Sequence, residues 1–197
     1  LETMKPSAKP FITCIEGFEG YLTSRYFTDE KEWRDQTIFK YKPDRIRSVK
    51  MEVPFNPEFG YELVIKGNND YELKSILTQK LLPAPDTLAV KQYLSYFQKL
   101  SFETFEDQLS EKQQDSVKNA KPINIISVTD SEGKTSTVKF FARSPTKKGE
   151  KDINGKEILY DQERMDAVIN DGKDLVVVQY YVFGKVMPPA NYFQKKR

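Results

Sequence analysis

Glu150, Asp152, Asn154, Gly155 and Asp161 fall at positions 1, 3, 5, 6 and 12 of a calcium-loop template, where hard oxygen donors alternate around a glycine turn. Calcium chemistry asks for a bidentate Glu at the last position, and Asp161 is shorter; Glu157 also stands where an aliphatic residue is usual. The flanks read as loop and strand rather than helices, and a hairpin on Asn154-Gly155 accounts for the same letters. Further on, "MDAVINDGKD" clusters Asp166, Asp171 and Asp174. Such carboxylates serve acid–base chemistry or metal binding, but Asp171 and Asp174 flank Gly172 and are better explained by turn formation. "SEGK" (Ser131 to Lys134) has the spacing of a Ser-x-x-Lys nucleophile, yet it lies in a turn between strands rather than on a helix. Gly17-x-x-Gly20 in "IEGFEGYLTSRYF" offers backbone N–H groups to an anion. No Lys-Ser/Thr follows it, as a phosphate loop requires. No catalytic residue and no cofactor are assigned, and the calcium loop is the one metal candidate.

Composition narrows the chemistry further. The chain has no histidine, which removes Ser-His-Asp and Cys-His catalysis and His-ligated zinc. Its single cysteine, Cys14, sits in the apolar run "FITCI" and reads as a small buried hydrophobe. With 31 basic and 29 acidic residues the net charge is +2, too little to draw nucleic acid or an anionic bilayer. The runs Lys147-Lys148 and Lys195-Lys196-Arg197 read as solvated charge. No apolar stretch approaches the roughly 18 residues of a membrane span. The chain opens on Leu1 rather than Met, so a trimmed piece of a longer protein is expected. Aromatics are plentiful, with 13 Phe and 11 Tyr. Trp33, Tyr93 and Tyr181 are the candidate interaction aromatics, set against the alternative that aromatics at helical or strand spacing fill a core.

The elements that must position these residues follow from periodicity. "IRSVKMEV" (46–53), "YELVIK" (61–66) and "YELKS" (71–75) alternate as strands, with "GNND" as a turn. After Pro83 and Pro85, Asp86 or Thr87 caps a helix running to about Leu100, with Val90, Leu94, Phe97 and Leu100 on one stripe. "SFETF" alternates again, and residues 106–120 read as a polar helix. "INIISVTDSEGKTSTVKFFAR" is a strand, a turn and a strand. "YDQERMDAVIN" reads as a helix capped by Asp161 and closed at Gly172, and "LVVVQYYVF" (175–183) as a central two-sided strand. The expected class is α+β, mostly antiparallel sheets with packed helices.

Residues 11–27, "FITCIEGFEGYLTSRYF", and 176–193, "VVVQYYVFGKVMPPANYF", share a pattern in which a strand meets an aromatic-Gly pair and a short segment ends in Tyr-Phe. Gly20 aligns with Gly184, and Tyr26-Phe27 with Tyr192-Phe193. Such an echo suggests repeated modules, with Gly17, Gly20 and Gly184 as turns. Residues 1–29 are then the tail of a preceding module, 30–106 a three-stranded sheet plus helix, and 107–197 the closing α+β half.

"GFEGYLTSRYFTDEKEWRD", "DTLAVKQYLSYFQKLSFETF" and "YDQERMDAVINDGKDLVVVQYYVF" together resemble the domain-of-unknown-function family 4340 in its Bacteroidetes form, over nearly the whole chain as a C-terminal portion. The resemblance implies a periplasmic body tethered to the inner membrane by an N-terminal anchor outside this chain. It also implies a protein partner in the cell envelope, within a transport or gliding-type complex, and carries no catalytic residues. The expected function is therefore a non-enzymatic structural or interaction component. A glycan- or peptide-binding module is the alternative, and a carboxylate-dependent hydrolase a third; no nucleic-acid partner is expected.

Overall fold

The computed structural model describes residues 33–145, 147, 149 and 151–194. From Gln36 onward the described residues form one compact unit. The main sheet has eight antiparallel strands: β2 (Ile46–Glu52), β3 (Tyr61–Gly67), β4 (Asp70–Ser75), β6 (Thr104–Phe105), β7 (Asn124–Asp130), β8 (Thr135–Ala142), β9 (Arg164–Ile169) and β10 (Asp174–Gln179). Their order across the sheet is β4-β3-β2-β7-β8-β9-β10-β6. Strands β1 (Thr37–Phe39) and β5 (Leu100–Ser101) pair as a separate small sheet. Among the described residues three helices accompany the sheets: α1 (Thr87–Ser95), α2 (Glu111–Asn119) and the single turn α3 (Tyr180–Phe183). The class is α+β. Strands from both sides of residue 106 enter one sheet, because β2 pairs with β7 (Val49 opposite Val128) and β6 closes the far edge on β10.

The strand alternation decides which face becomes the core. Val49 and Met51, Tyr61 and Leu63, Ile126 and Val128, Val138 and Phe140, Met165 and Ala167, and Val176 and Val178 all point to one side and are buried. Helix α1 covers that side with Val90, Tyr93 and Leu94, and Phe97 follows in the next turn. The C-terminal segment adds Phe183, Val186 and Phe193. Asp86 is the residue that starts α1, its Oδ1 accepting from Leu88 N at 2.8 Å and Ala89 N at 3.0 Å. Asp86→Ala should therefore lower stability by about 1 kcal/mol, read as a shifted urea midpoint with unchanged slope.

The opposite face is polar over β4, β3, β2 and β7, with pairs such as Lys50–Glu52 on it. At its β8-β9-β10 end Phe141, Val168 and Leu175 form a small cluster under Leu109 and Val117. None of the residues of α2 is buried.

Three expectations are corrected. Residues 161–171 are not a helix: the chain forms β9, with Met165, Ala167 and Ile169 inward and Arg164, Asp166 and Val168 outward. The capping signal was real but local. Asp161 Oδ1 accepts from Glu163 N at 2.8 Å and Arg164 N at 2.9 Å, an Asx turn that here leads into a strand. Asn170, Asp171 and Gly172 then take positive φ (52°, 54° and 91°) in the hairpin turn to β10 rather than ending a helix. The strand expected over 175–183 stops at Gln179, and Tyr180 N donates to Glu163 O as the last rung. Its partner bends away at the Asp161 turn, so α3 satisfies the remaining backbone groups internally. Finally, helical structure over 106–120 begins only at Glu111, because Ser110 and Gln113 form a capping box there. Cys14, Gly17 and Gly20, in the first member of the expected repeat, lie outside the described residues.

Candidate functional site

The covered end of the polar face holds two linked clusters of charge. Asp166 is an isolated acid in the outward phase of β9, opposite Phe141 of β8 and Val177 of β10. Neighbouring strands therefore wall it in, and its side chain is 4% exposed. Glu106 enters from the segment after β6, whose N–H bonds to Leu175 O, and its side chain is 1% exposed. Arg143 leaves the end of β8 and sends one Nη1 to both carboxylates. Burial raises the Asp166 carboxyl above its ordinary range, with Arg143 opposing that shift and Glu106 adding to it. The second oxygen of Glu106 accepts from Gln108 N at 2.8 Å and Leu109 N at 3.2 Å, which sets the turn leading to α2. Gln114 Nε2 donates to Glu106 O at 2.9 Å and Leu109 O at 3.1 Å, fastening the helix to that turn.

Beside this triad a second network is more open. Arg164 grips Glu103 with both ends of its fork, Nε to Oε2 at 2.9 Å and Nη2 to Oε1 at 3.0 Å. Gln179 Nε2 adds a bond to Glu103 at 3.1 Å. Arg164 first, then Gln179, hold the Glu103 carboxyl below its usual range. Every carboxylate in these two networks accepts from a cation, so the arrangement offers a locked scaffold rather than a free base.

Next to it, an aromatic groove of about 820 Å³ opens between the end of α2 and the Tyr160–Gln162 segment. Phe141, Ile123 and Val117 form its floor, while Phe55, Tyr160 and Tyr180 stand around it. Phe55 is 57% exposed and Tyr160 55%, and Lys121 Nζ lies 4.6 Å from the centroid of the Phe55 ring. Polar groups at the margin are Lys121, Asp161 and Gln162.

The residues expected from sequence are distributed otherwise. Asp152 and Asn154 form a tight turn: Asp152 Oδ1 accepts from Asn154 N and Lys156 N, both at 2.9 Å, Gly155 has φ 79°, and Lys151 bridges to Glu157. Glu150 lies outside the described residues. Asp161 is engaged in its own Asx turn. Among the described residues no group of three or more Cys, Asp or Glu could hold a metal ion. Asp171 and Asp174 sit at the β9–β10 turn, where Asn170 Nδ2 donates to Asp174 Oδ2 at 2.7 Å. Asp166 parts company with them and joins the buried triad. Ser131 to Lys134 is the turn between β7 and β8, organised by Asp130. Gly184 ends α3 at φ −57°, an ordinary helical value, and a Cβ there would meet nothing within 4 Å. Tyr93 is fully buried, packed edge-on against Phe97 and Phe193 with centroids 5.2 and 5.0 Å away. Its hydroxyl donates to Val186 O at 3.1 Å, so it is a core residue rather than an interaction aromatic. Trp33 (63%) and Tyr181 (79%) are exposed, the latter under Lys185 Nζ at 4.4 Å.

Glu106, Arg143 and the groove aromatics Phe55 and Tyr160 escaped the sequence reading. A lone charge ending or interrupting an apolar run, as in "SFETFE", "VKFFAR" and "MDAVI", was the available signal. No family model, curated protein or solved structure matches the chain.

Proposed function

We propose that this chain is a non-enzymatic interaction module of the cell envelope, part of a structural assembly in a membrane-associated transport or gliding-type complex. One observation carries the non-enzymatic reading: Glu106 and Asp166, the most buried carboxylates among the described residues, share Arg143. A carboxylate-dependent hydrolase needs one such group free to take or give a proton at a substrate, and the shared guanidinium opposes that. The periplasmic, tethered location and the type of complex rest on the family resemblance. Affinity capture of the full-length protein from cross-linked envelope membranes should recover a specific membrane partner in constant ratio to the bait. Recovery of no partner would end this reading.

A glycan-binding module is the second reading, favoured by Phe55 and Tyr160 standing exposed over a groove edged by Lys121 and Gln162. Exposed rings provide apolar faces, and the neighbouring polar groups suit hydroxyls. Calorimetric titration with cell-wall and capsular oligosaccharides separates the two: saturable binding abolished by a Phe55→Ala/Tyr160→Ala double change would establish the glycan reading.

A further inference from the structure

A second groove, on the core side of the sheet, has a mainly cationic rim. It lies between the Pro43–Arg47 segment, helix α1 and the β3–β4 turn, and encloses about 680 Å³. Its apolar lining comes from Ile65, Tyr71 and Leu94, and its cationic rim from Arg47, Lys66 and Lys91. Lys66 is partly neutralised by Glu72. Among the described residues, Arg47 and Lys91 form no ion pair. The Pro43–Arg47 segment contributes Asp44 and Arg47, so the lining holds three cations against the single acid Asp44. On the polar face Lys50 pairs with Glu52 and Lys74 with Glu72, whereas of the three rim cations of this groove only Lys66 has a carboxylate partner among the described residues.

Unpaired cations around a concave apolar floor are complementary to a ligand with the reverse arrangement, an apolar side chain flanked by carboxylates. A flat anionic bilayer would touch the rim and leave the floor empty, whereas a peptide side chain fills it. We infer that this groove receives an acidic segment of a protein partner, anchored by one apolar side chain, an inference that rests on the interaction reading above. Asp44 at the rim is then an acceptor for a backbone N–H of the bound segment.

The test uses the chain as it stands with a fluorescent peptide Asp-Glu-Leu-Asp-Glu, its amide counterpart Asn-Gln-Leu-Asn-Gln, and vesicles of phosphatidylglycerol in phosphatidylcholine. The acidic peptide should bind saturably and weaken with salt, and both the amide peptide and the Arg47→Glu/Lys91→Glu variant should lose about tenfold or more in affinity. Both side chains are exposed, so the variant should melt like the parent, which separates lost binding from lost folding. No saturable binding of the acidic peptide, equal binding of both peptides, retained affinity in the charge-reversed variant, or binding to the vesicles alone each overturns the inference. Envelope capture then distinguishes its failure from that of the interaction reading. A partner recovered equally by parent and variant removes this groove but keeps the module, while recovery by neither removes both.

Discussion

Arg143→Leu should destabilise the protein by about 3–5 kcal/mol near neutral pH, as expected when one member of a buried ionic cluster is removed and its partners stay behind. The reason is asymmetry. Glu106 and Asp166 have side chains 1% and 4% exposed and both depend on the same guanidinium, so its loss leaves two carboxylates away from water and close together. The deficit should shrink as pH falls. Asp166 already has a raised carboxyl, chiefly from burial. A raised folded value means that folding takes up a proton. Its stabilising contribution is complete below the unfolded value near about 3.9 and is lost as pH rises through the folded one. Without Arg143 the acid would protonate earlier still, so chemical denaturation at roughly pH 5 should show a smaller penalty than at roughly pH 7. A penalty independent of pH would mean that lost packing of the Arg143 stem, not unpaired charge, dominates. The same change should loosen residues 106–120, because Glu106 sets the turn from which α2 starts. Faster amide exchange confined to that segment, with β9 and β10 protected, would locate the effect.

Tyr93→Ala should cost about 3–5 kcal/mol, while Tyr181→Ala should stay within about 0.5 kcal/mol. Both were candidates for a binding platform on residue type, and burial separates them. Tyr93 has no exposed surface, touches Phe97 and Phe193 edge-on, and donates to Val186 O, thereby pinning the closing segment 184–193 against helix α1. Removing it opens a cavity and orphans a buried carbonyl at once. Tyr181 is 79% exposed and lies under Lys185, a solvated contact of small worth. Paired thermal melts check the contrast, and a Tyr181→Ala variant that melts far below the parent would show that the ring has a packing role.

Much of the framework was legible because it depends on local rules. Alternation in "IRSVKMEV", "YELVIK" and "YELKS" placed β2, β3 and β4, and "DTLAVKQYL" announced α1 with Asp86 or Thr87 as its cap, of which Asp86 is the one used; the helix ends at Ser95 rather than near Leu100. Period and capping act over a few residues, so the letters alone carry them. The reading failed where a local signal has two continuations. Asp161 makes the same two backbone bonds whether a helix or a strand follows, and the choice of strand came from β8 and β10 on either side. Likewise "LVVVQYYVF" is apolar throughout, but β10 ends where its partner bends away, a fact that resides in residues 161–163.

The candidate site was the less legible part. Asp166 was visible as chemistry without its surroundings, since Glu106 and Arg143 lie 60 and 23 positions distant in the chain. They meet because β6 closes the edge beside β10 and β8 lies beside β9. Composition removed histidine and disulfide chemistry at a glance, and periodicity allotted each strand an inner and an outer face. Whether an outer-face residue meets water, an aromatic groove or an opposite charge depends on strand order and on what covers the sheet. Those are long-range pairings, for which local sequence carries no term, and they turned a run of acids that looked like a ligand set into a buried triad, a hairpin turn and an Asx cap.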